Sequence, residues 1–332
     1  MYKEVLEGMS EGVLVLDVVG KIVFANQAIA EIFSLANDGF IGKRLLEVIR
    51  LVELSDLVEA VRRSGQPVER EMKLVFPAEK NLLGLANLAG DNIAVIIRDI
   101  TAMKQLESLR SDFVANVSHE LKTPLTAIKG YVDTLVAGAI DDPDNNRRFL
   151  EKIAKNADSL AALIDDILAL SRLEVHRGIA PFEKVFLADE IEKALETLAP
   201  AIKEKRIEIV NLSGGAVVGE PSQLYRAILN LLDNAIKYSH PGGKVEIVIA
   251  KTEKELCLSV TDHGMGIPAE HHARIFERFY RVDKARSREM GGTGLGLAIV
   301  KHIMEIHGGR VELKSAAGQG AKFTLVFVSR HL

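Results

Sequence analysis

Two long apolar stripes constrain this chain more than any other feature. From Met103, apolar residues recur at three- and four-residue steps through Leu106, Phe113, Val117 and Leu121, with Arg110 interrupting, and the helical register continues to Ile128, Leu135 and Val136. Gly138 and Asp141-Asp142-Pro143-Asp144 supply a turn, and a second helix is predicted from near Asn145. Its stripe is Phe149, Ile153, Leu160, Leu163, Ile167 and Leu170, with Asn156 at a seam position. Two helices cannot bury both stripes against each other. A four-helix bundle assembled from two chains can, so the spacing predicts a helical hairpin that forms a homodimer.

Within the first helix, Phe113, Val117 and Leu121 form the seam, and His119 lies out of phase with it. Pro124 follows one turn later. It removes a backbone N–H and frees the Glu120 carbonyl, at a cost of about 3 kcal/mol in an ordinary helix interior, which predicts a bend beside an exposed His-Glu pair. A neutral imidazole is a competent nucleophile near neutral pH, and Glu120 is placed to orient the ring or take its proton. Thr123 shares the face of His119, four residues on. The string His119-Glu-Leu-Lys-Thr-Pro-Leu-Thr126, preceded by Phe113-Val-Ala-Asn-Val-Ser118, resembles the H box of sensor histidine kinases. That resemblance implies that His119 is phosphorylated from ATP on the outer face of the dimeric bundle. The phosphoryl group then passes to an aspartate in the receiver domain of a response regulator. It also implies, through Glu120-Leu-Lys-Thr123, a phosphatase activity in which Thr123 positions water. The string from Phe113 to Leu135 is most similar to phosphate-regulon sensors.

Composition adds bounds. The 332 residues predict two or three domains, and a net charge of −4 gives no footprint for nucleic acid. Cys257 is the only cysteine, which excludes an intramolecular disulfide and fits a reducing compartment. No apolar run approaches the roughly 20 residues of a membrane span. The expected location is cytoplasmic, with a membrane-tethered parent protein left open.

Before the hairpin, a short amphipathic helix over residues 1–9 precedes Gly12 to Phe24, which reads as strand, turn and strand around Gly20-Lys21. Asn26 is a cap for a helix to Phe33, a second helix covers Leu54 to Val61, and strands follow at Val68–Val75, Asn81–Leu88 and Asn92–Arg98. Val15-Leu-Asp17, Gly20-Lys-Ile-Val-Phe-Ala-Asn26 and Ile97-Arg-Asp-Ile-Thr101 resemble a PAS domain, which implies a dimerising or ligand-binding sensor. No histidine precedes His119 and no cysteine precedes Cys257, so neither a His-ligated haem nor a flavin–cysteinyl adduct is expected there. A small-molecule ligand remains open.

After a linker at Gly178 and Pro181 come a strand at Glu183–Leu187, an amphipathic helix at Asp189–Lys205, and a helix over 221–238 with Pro221 in its first turn. In that last helix Leu224, Ile228, Leu231 and Ala235 make a core face, whereas Asn230, Asn234 and Lys237 share another. Two carboxamides and an ammonium suit a triphosphate and its Mg²⁺. A strand from Leu256 then ends at Asp262-His-Gly-Met-Gly266, a carboxylate beside a loop of little bulk. Such a site can accept a hydrogen bond from an exocyclic amine of a ring lying close to the backbone. Gly291-Gly-Thr-Gly-Leu-Gly296 opens a helix, where backbone amides meet anions. No strand feeds this loop, which excludes a dinucleotide-binding βαβ unit.

These motifs, with Phe276-Glu-Arg-Phe279 between the last two, resemble, in order, the N, G1, F and G2 boxes of the ATP-binding module shared by histidine kinases, gyrase-type ATPases, Hsp90 and mismatch-repair ATPases. The resemblance implies adenine on Asp262 with Gly264 and Gly266 beside it, and metal on Asn234. Phosphates would meet Asn230, Lys237, Gly292, Thr293, Gly294, Leu295 and Gly296, with Tyr238 and Arg281 flanking the nucleotide. Ala321 follows Gly318-Gln-Gly320 where many members carry a hydroxyl residue, and residues 267–292 are expected to form a lid. The whole predicts a multidomain α+β chain. A PAS sensor covers 1–98, a signalling helix and dimerising hairpin cover 99–177, and an α/β-sandwich ATP-binding domain covers 178–332. A silent ATP-binding scaffold, an ATPase without a phosphohistidine and a serine/threonine kinase on the same ATP fold are the competing readings. The sequence leaves open whether phosphorylation is in cis or in trans.

Overall fold

The alternation of apolar residues before Thr101 builds one antiparallel sheet with helices on one face. The computed structural model describes residues 2–35, 39–175, 181–212, 214–283 and 292–328, and the chain divides into two units, Met1–Val114 and Ala115–Leu332. In the first unit α1 (Tyr2–Glu7) precedes β1 (Gly12–Leu16) and β2 (Ile22–Ala25), followed by α2 (Gln27–Phe33), α3 (Leu45–Val48) and α4 (Val52–Ser64). Strands β3 (Val68–Leu74), β4 (Lys80–Ala89) and β5 (Asn92–Asp99) complete a five-stranded sheet in the order β2-β1-β5-β4-β3. Leu14, Leu16, Leu82, Val95 and Ile97 from the sheet pack with Ile29, Leu54, Leu57 and Val61 from the helices. Asn26 caps α2 as expected. Its side-chain oxygen accepts from the amides of Ile29 and Val13, and its amide group donates to the carbonyls of Leu6 and Glu11. One buried side chain therefore fixes the ends of four segments.

Helix α5 (Thr101–Val136) begins two residues after β5 ends, and it runs on through Pro124. Its start is pinned from both sides. The Thr101 amide and hydroxyl donate to Asp99 Oδ1, while Thr101 Oγ1 accepts from the Asn81 amide and the Ile100 amide donates to the Asn81 carbonyl.

In the second unit, α5 turns back through residues 137–145, where Gly138 adopts a left-handed φ of 117°, into α6 (Asn146–Val175). Tyr131 and Phe149 pack across the hairpin with ring centroids 5.9 Å apart. The linker position Gly178 lies outside the described residues. Strand β6 (Glu183–Phe186), α7 (Leu187–Lys205), β7 (Glu208–Leu212), β8 (Ala216–Gly219), α8 (Pro221–Tyr238), β9 (Lys244–Lys251), β10 (Glu255–Asp262), α9 (Gly296–Ile306), β11 (Arg310–Ser315) and β12 (Ala321–Val328) follow. The main sheet has the order β11-β12-β10-β9-β7, antiparallel except for β7 beside β9, and β6 pairs separately with β8. Helices α8 and α9 pack on this sheet and α7 packs on α8, with Leu224, Ile228, Leu231 and Ala235 of α8 buried. Glu220 caps α8 by accepting from the amides of Ser222 and Gln223. At the other end Lys205 Nζ donates to the carbonyls of Ile236 and Lys237, a cation where the helix dipole is negative. Both ends of the helix that carries the polar stripe are thus held fast.

Candidate active site

A cavity of about 420 Å³ opens between α8, the end of β10, the loop before α9 and the middle of α6. Its wall carries Asn230, Asn234, Lys237, Tyr238, Asp262, Gly266, Arg281, Gly292, Thr293, Gly294 and Gly296. Sequence positions spread over 67 residues thus share one space. Gly264 and Leu295 stand behind the wall instead. The Gly264 amide donates to Asp262 Oδ1 at 2.9 Å, and a Cβ here would lie 2.0 Å from the Tyr238 carbonyl oxygen, so only glycine lets the two segments meet. Leu295 is fully buried at the start of α9, and its amide donates to Thr293 Oγ1.

Asp262 is 5% exposed at the cavity floor. Desolvation pushes its carboxyl up from the ordinary range, against the opposing pull of hydrogen bonds from the Gly264 and Ala321 amides. The hydroxyl-less Ala321 is buried and lines the same floor. Asn230 donates to the Arg226 carbonyl, which turns its oxygen toward Gly296, where a Cβ would come within 2.7 Å of it. Asn234 makes no side-chain hydrogen bond among the described residues and faces the cavity. Lys237 Nζ is paired with Asp233 at 2.7 Å on the rim. In the described part of the segment expected to form a lid, the Phe279 amide donates to the Gly294 carbonyl, and Phe276 packs edge-on against Phe323. Residues 284–291 of that segment, including Gly291, which with Gly292 is expected to hinge it, lie outside the described residues.

His119 projects from α5 with its side chain 69% exposed, and its Nδ1 lies 3.8 Å from Glu120 Oε1. Thr123 Oγ1 donates to the His119 carbonyl at 3.2 Å, so both side chains share one face. The seam residues Phe113, Val117 and Leu121 are half-buried on another face, as their phase requires. Two contacts were not readable from the motifs. Arg281 Nη2 donates to Glu120 Oε2 at 2.9 Å. On α6, the Asp166 carboxylate accepts from Arg226 Nη2 at 3.0 Å and from Thr293 Oγ1 at 2.7 Å, and Arg226 also donates to the Asp165 carbonyl. The sequence's only trace of this second contact is a pair of carboxylates set beside the seam residues Leu163 and Ile167.

Three family profiles match in succession. They are the PAS fold over residues 1–81, the His Kinase A (phospho-acceptor) domain over 109–175, and the histidine kinase-, DNA gyrase B- and HSP90-like ATPase over 219–331. The chain is 37% identical over 325 residues to the sensor-like histidine kinase SenX3 of Mycolicibacterium smegmatis, covering 95% of this chain and 82% of that protein. It is 32% identical to the sensor histidine kinase WalK of Bacillus subtilis, over 96% of this chain and 54% of that one. It is 39% identical to the phosphate regulon sensor protein PhoR of Pseudomonas aeruginosa, over 70% of this chain and 53% of that one. The chain therefore spans about half the length of WalK and PhoR. In fold it is similar to the histidine kinase ThkA, solved in complex with the response regulator protein TrrA, at a TM-score of 0.55, 21% identity and coverage of 98% and 97%. It is also similar in fold to the Acinetobacter baumannii histidine kinase AdeS, at a TM-score of 0.52, 24% identity and coverage of 64% and 98%. No helix among the described residues is long and apolar enough to cross a membrane. With the segments that match the phospho-acceptor and ATPase profiles in one unit, and with relatives of this identity and coverage, the chain belongs to the sensor histidine kinases of two-component systems, ATP-dependent enzymes that phosphorylate a histidine and pass the phosphoryl group to a response regulator.

Proposed function

We propose that His119 is the phosphoacceptor of this kinase and that the cavity beneath Arg281 is where its ATP binds. The observation that carries this reading is the Arg281 side chain. It is 7% exposed, it lines the cavity, and its Nε is buried without a hydrogen-bond partner among the described residues, while its Nη2 holds Glu120, the neighbour of His119. A buried guanidinium N–H left unpaired is costly unless an anion completes it, and a phosphate group fits that need. Adenine is accepted by Asp262, whose carboxylate faces the cavity floor. Phosphates are met by Lys237, Arg281 and the backbone from Gly292 to Gly296 at the N-terminus of α9.

Asn234 presents an unengaged carboxamide to the same space, a hard oxygen donor suited to Mg²⁺. Bound there, the ion would neutralise charge on the phosphate oxygens. Phosphoryl transfer needs positioning and charge balance more than covalent help, and these residues supply both. Glu120 orients the imidazole and takes its proton. Thr123, on the face of His119, serves the reverse task of positioning water for dephosphorylation of the partner regulator. The hairpin homodimerises through its unfilled seam, the partner is a response regulator receiver domain, and the kinase works in the cytoplasm, where ATP is supplied.

Incubation with magnesium and γ-labelled ATP tests the assignment. Wild type should acquire alkali-stable, acid-labile label, and His119→Gln should acquire none. Equal label on His119→Gln, or none on wild type with nucleotide demonstrably bound, overturns it.

A further inference from the structure

Arg281 stands between two sites of a single chain. One edge of its guanidinium reaches Glu120 on α5 at 2.9 Å, and its buried Nε is left for a ligand of the cavity. Glu120 in turn lies beside His119 of the same α5, with Oε1 3.8 Å from Nδ1. A second tether acts in the same direction. Asp166 of α6 is held at once by Arg226 of α8 and by Thr293 of the glycine loop, and α9 packs on α6. Both tethers join the nucleotide cavity to its own hairpin, at two separate helices. A cavity serving the other copy's histidine would have no use for an arginine that reaches its own Glu120.

We infer that autophosphorylation runs in cis: the ATP bound by one chain phosphorylates His119 of that same chain. This rests on the assignment of His119 and of the cavity made above. In the transfer, Nδ1–H faces Glu120, which leaves Nε2 with the free lone pair. Nε2 attacks the γ-phosphorus as the bond from that phosphorus to the bridging β–γ oxygen breaks. ADP departs with that electron pair, and the Nδ1 proton passes to Glu120. The product is an imidazole whose ring is uncharged and whose Nε2 carries the anionic phosphoryl group. Arg281, on Glu120 with one edge, keeps the acceptor and the donor phosphate on one chain.

Mixed dimers of the full chain, carrying two distinguishable tags and isolated by both, decide the matter with γ-labelled ATP as the probe. In the first hybrid, one chain carries His119→Gln with an intact cavity and the other carries Asn234→Ala with an intact His119. Cis transfer leaves both chains unlabelled, whereas trans transfer labels the Asn234→Ala chain. In the second hybrid, wild type is paired with a chain carrying both substitutions. Cis transfer labels the wild-type chain, to half the level of the wild-type homodimer per dimer, and trans transfer labels neither chain. The two hybrids respond in opposite senses, so a misfolded variant cannot imitate the cis result. Label on the first hybrid, or none on the second, overturns the inference. A wild-type homodimer that takes no label overturns instead the reading of His119 on which it rests.

Discussion

Helix α8 and the hairpin helices carry the same kind of pattern and meet different fates. In α8 the stripe of Leu224, Ile228, Leu231 and Ala235 is 1–4% exposed, filled by α7, α9 and the sheet. In α5 the stripe leaves Met103 51% exposed and Leu106 67% exposed. Periodicity describes both helices equally well. The difference lies in supply: the chain provides three elements to cover α8, whereas α5 has only α6, whose own stripe also needs a cover. An apolar stripe that its own chain cannot satisfy is a specification for a second copy.

Truncation separates the two cases most sharply. Leu231→Ala should cost about 2–5 kcal/mol in the unfolding transition of the ATP-binding part, because it opens a cavity in a closed core. Leu106→Ala should leave that transition in place and instead raise the dimer dissociation constant measured by sedimentation. Equal effects of both substitutions on the same transition would erase the distinction.

A smaller effect is expected at the floor of the closed half. With adenine on Asp262 as proposed, Asp262→Asn removes a charge-assisted hydrogen bond of about 1.5–3 kcal/mol, so nucleotide affinity measured by calorimetry should fall about tenfold or more. Burial disfavours the ionised carboxylate, so the variant should unfold at no lower a temperature than wild type. A matching loss of stability would assign Asp262 to the scaffold.

His307, at the end of α9, gives a pH signature confined to the same half. Burial holds its imidazole below the ordinary value, with Nδ1 donating to the Ile303 carbonyl and Nε2 accepting from the Glu220 amide. Such a group stabilises above its unfolded pKa of about 6.5, and the contribution is lost as the pH falls through the lower folded value. Acidification from neutral pH should therefore lower the thermal midpoint of wild type more than that of His307→Gln. Least of all, Arg147→Ala on α6 should cost about 0.5 kcal/mol or less, since Arg147 and Glu151 are both exposed.

The strands, the helices and the cavity residues were legible because each depends on local order. Strand β10 leading into Asp262 and two glycines, or Asn230, Asn234 and Lys237 on one face of α8, are readable within a few residues. The contacts of Glu120 with Arg281 and of Asp166 with Arg226 and Thr293 were not. Their partners lie 161, 60 and 127 positions apart, and a single charge on a helix looks like any solvated charge until the fold supplies its partner. Arg281, which the resemblance implies flanks a nucleotide, lies on the cavity wall and bonds Glu120 of α5. Pro124 was legible as an oddity, and α5 accommodates it without ending.

The junction of Asp99, Ile100 and Thr101 has a mechanical consequence. The first turn of α5 is bonded to Asp99 at the end of β5 and to Asn81 in β4, with a single residue between strand and helix. There is no slack chain at that joint to absorb a twist. Any torque generated in β4 or β5 must turn the base of the helix as a crank turns its shaft, so a stimulus that rotates those strands by a few degrees is delivered undiminished to the first turn of α5.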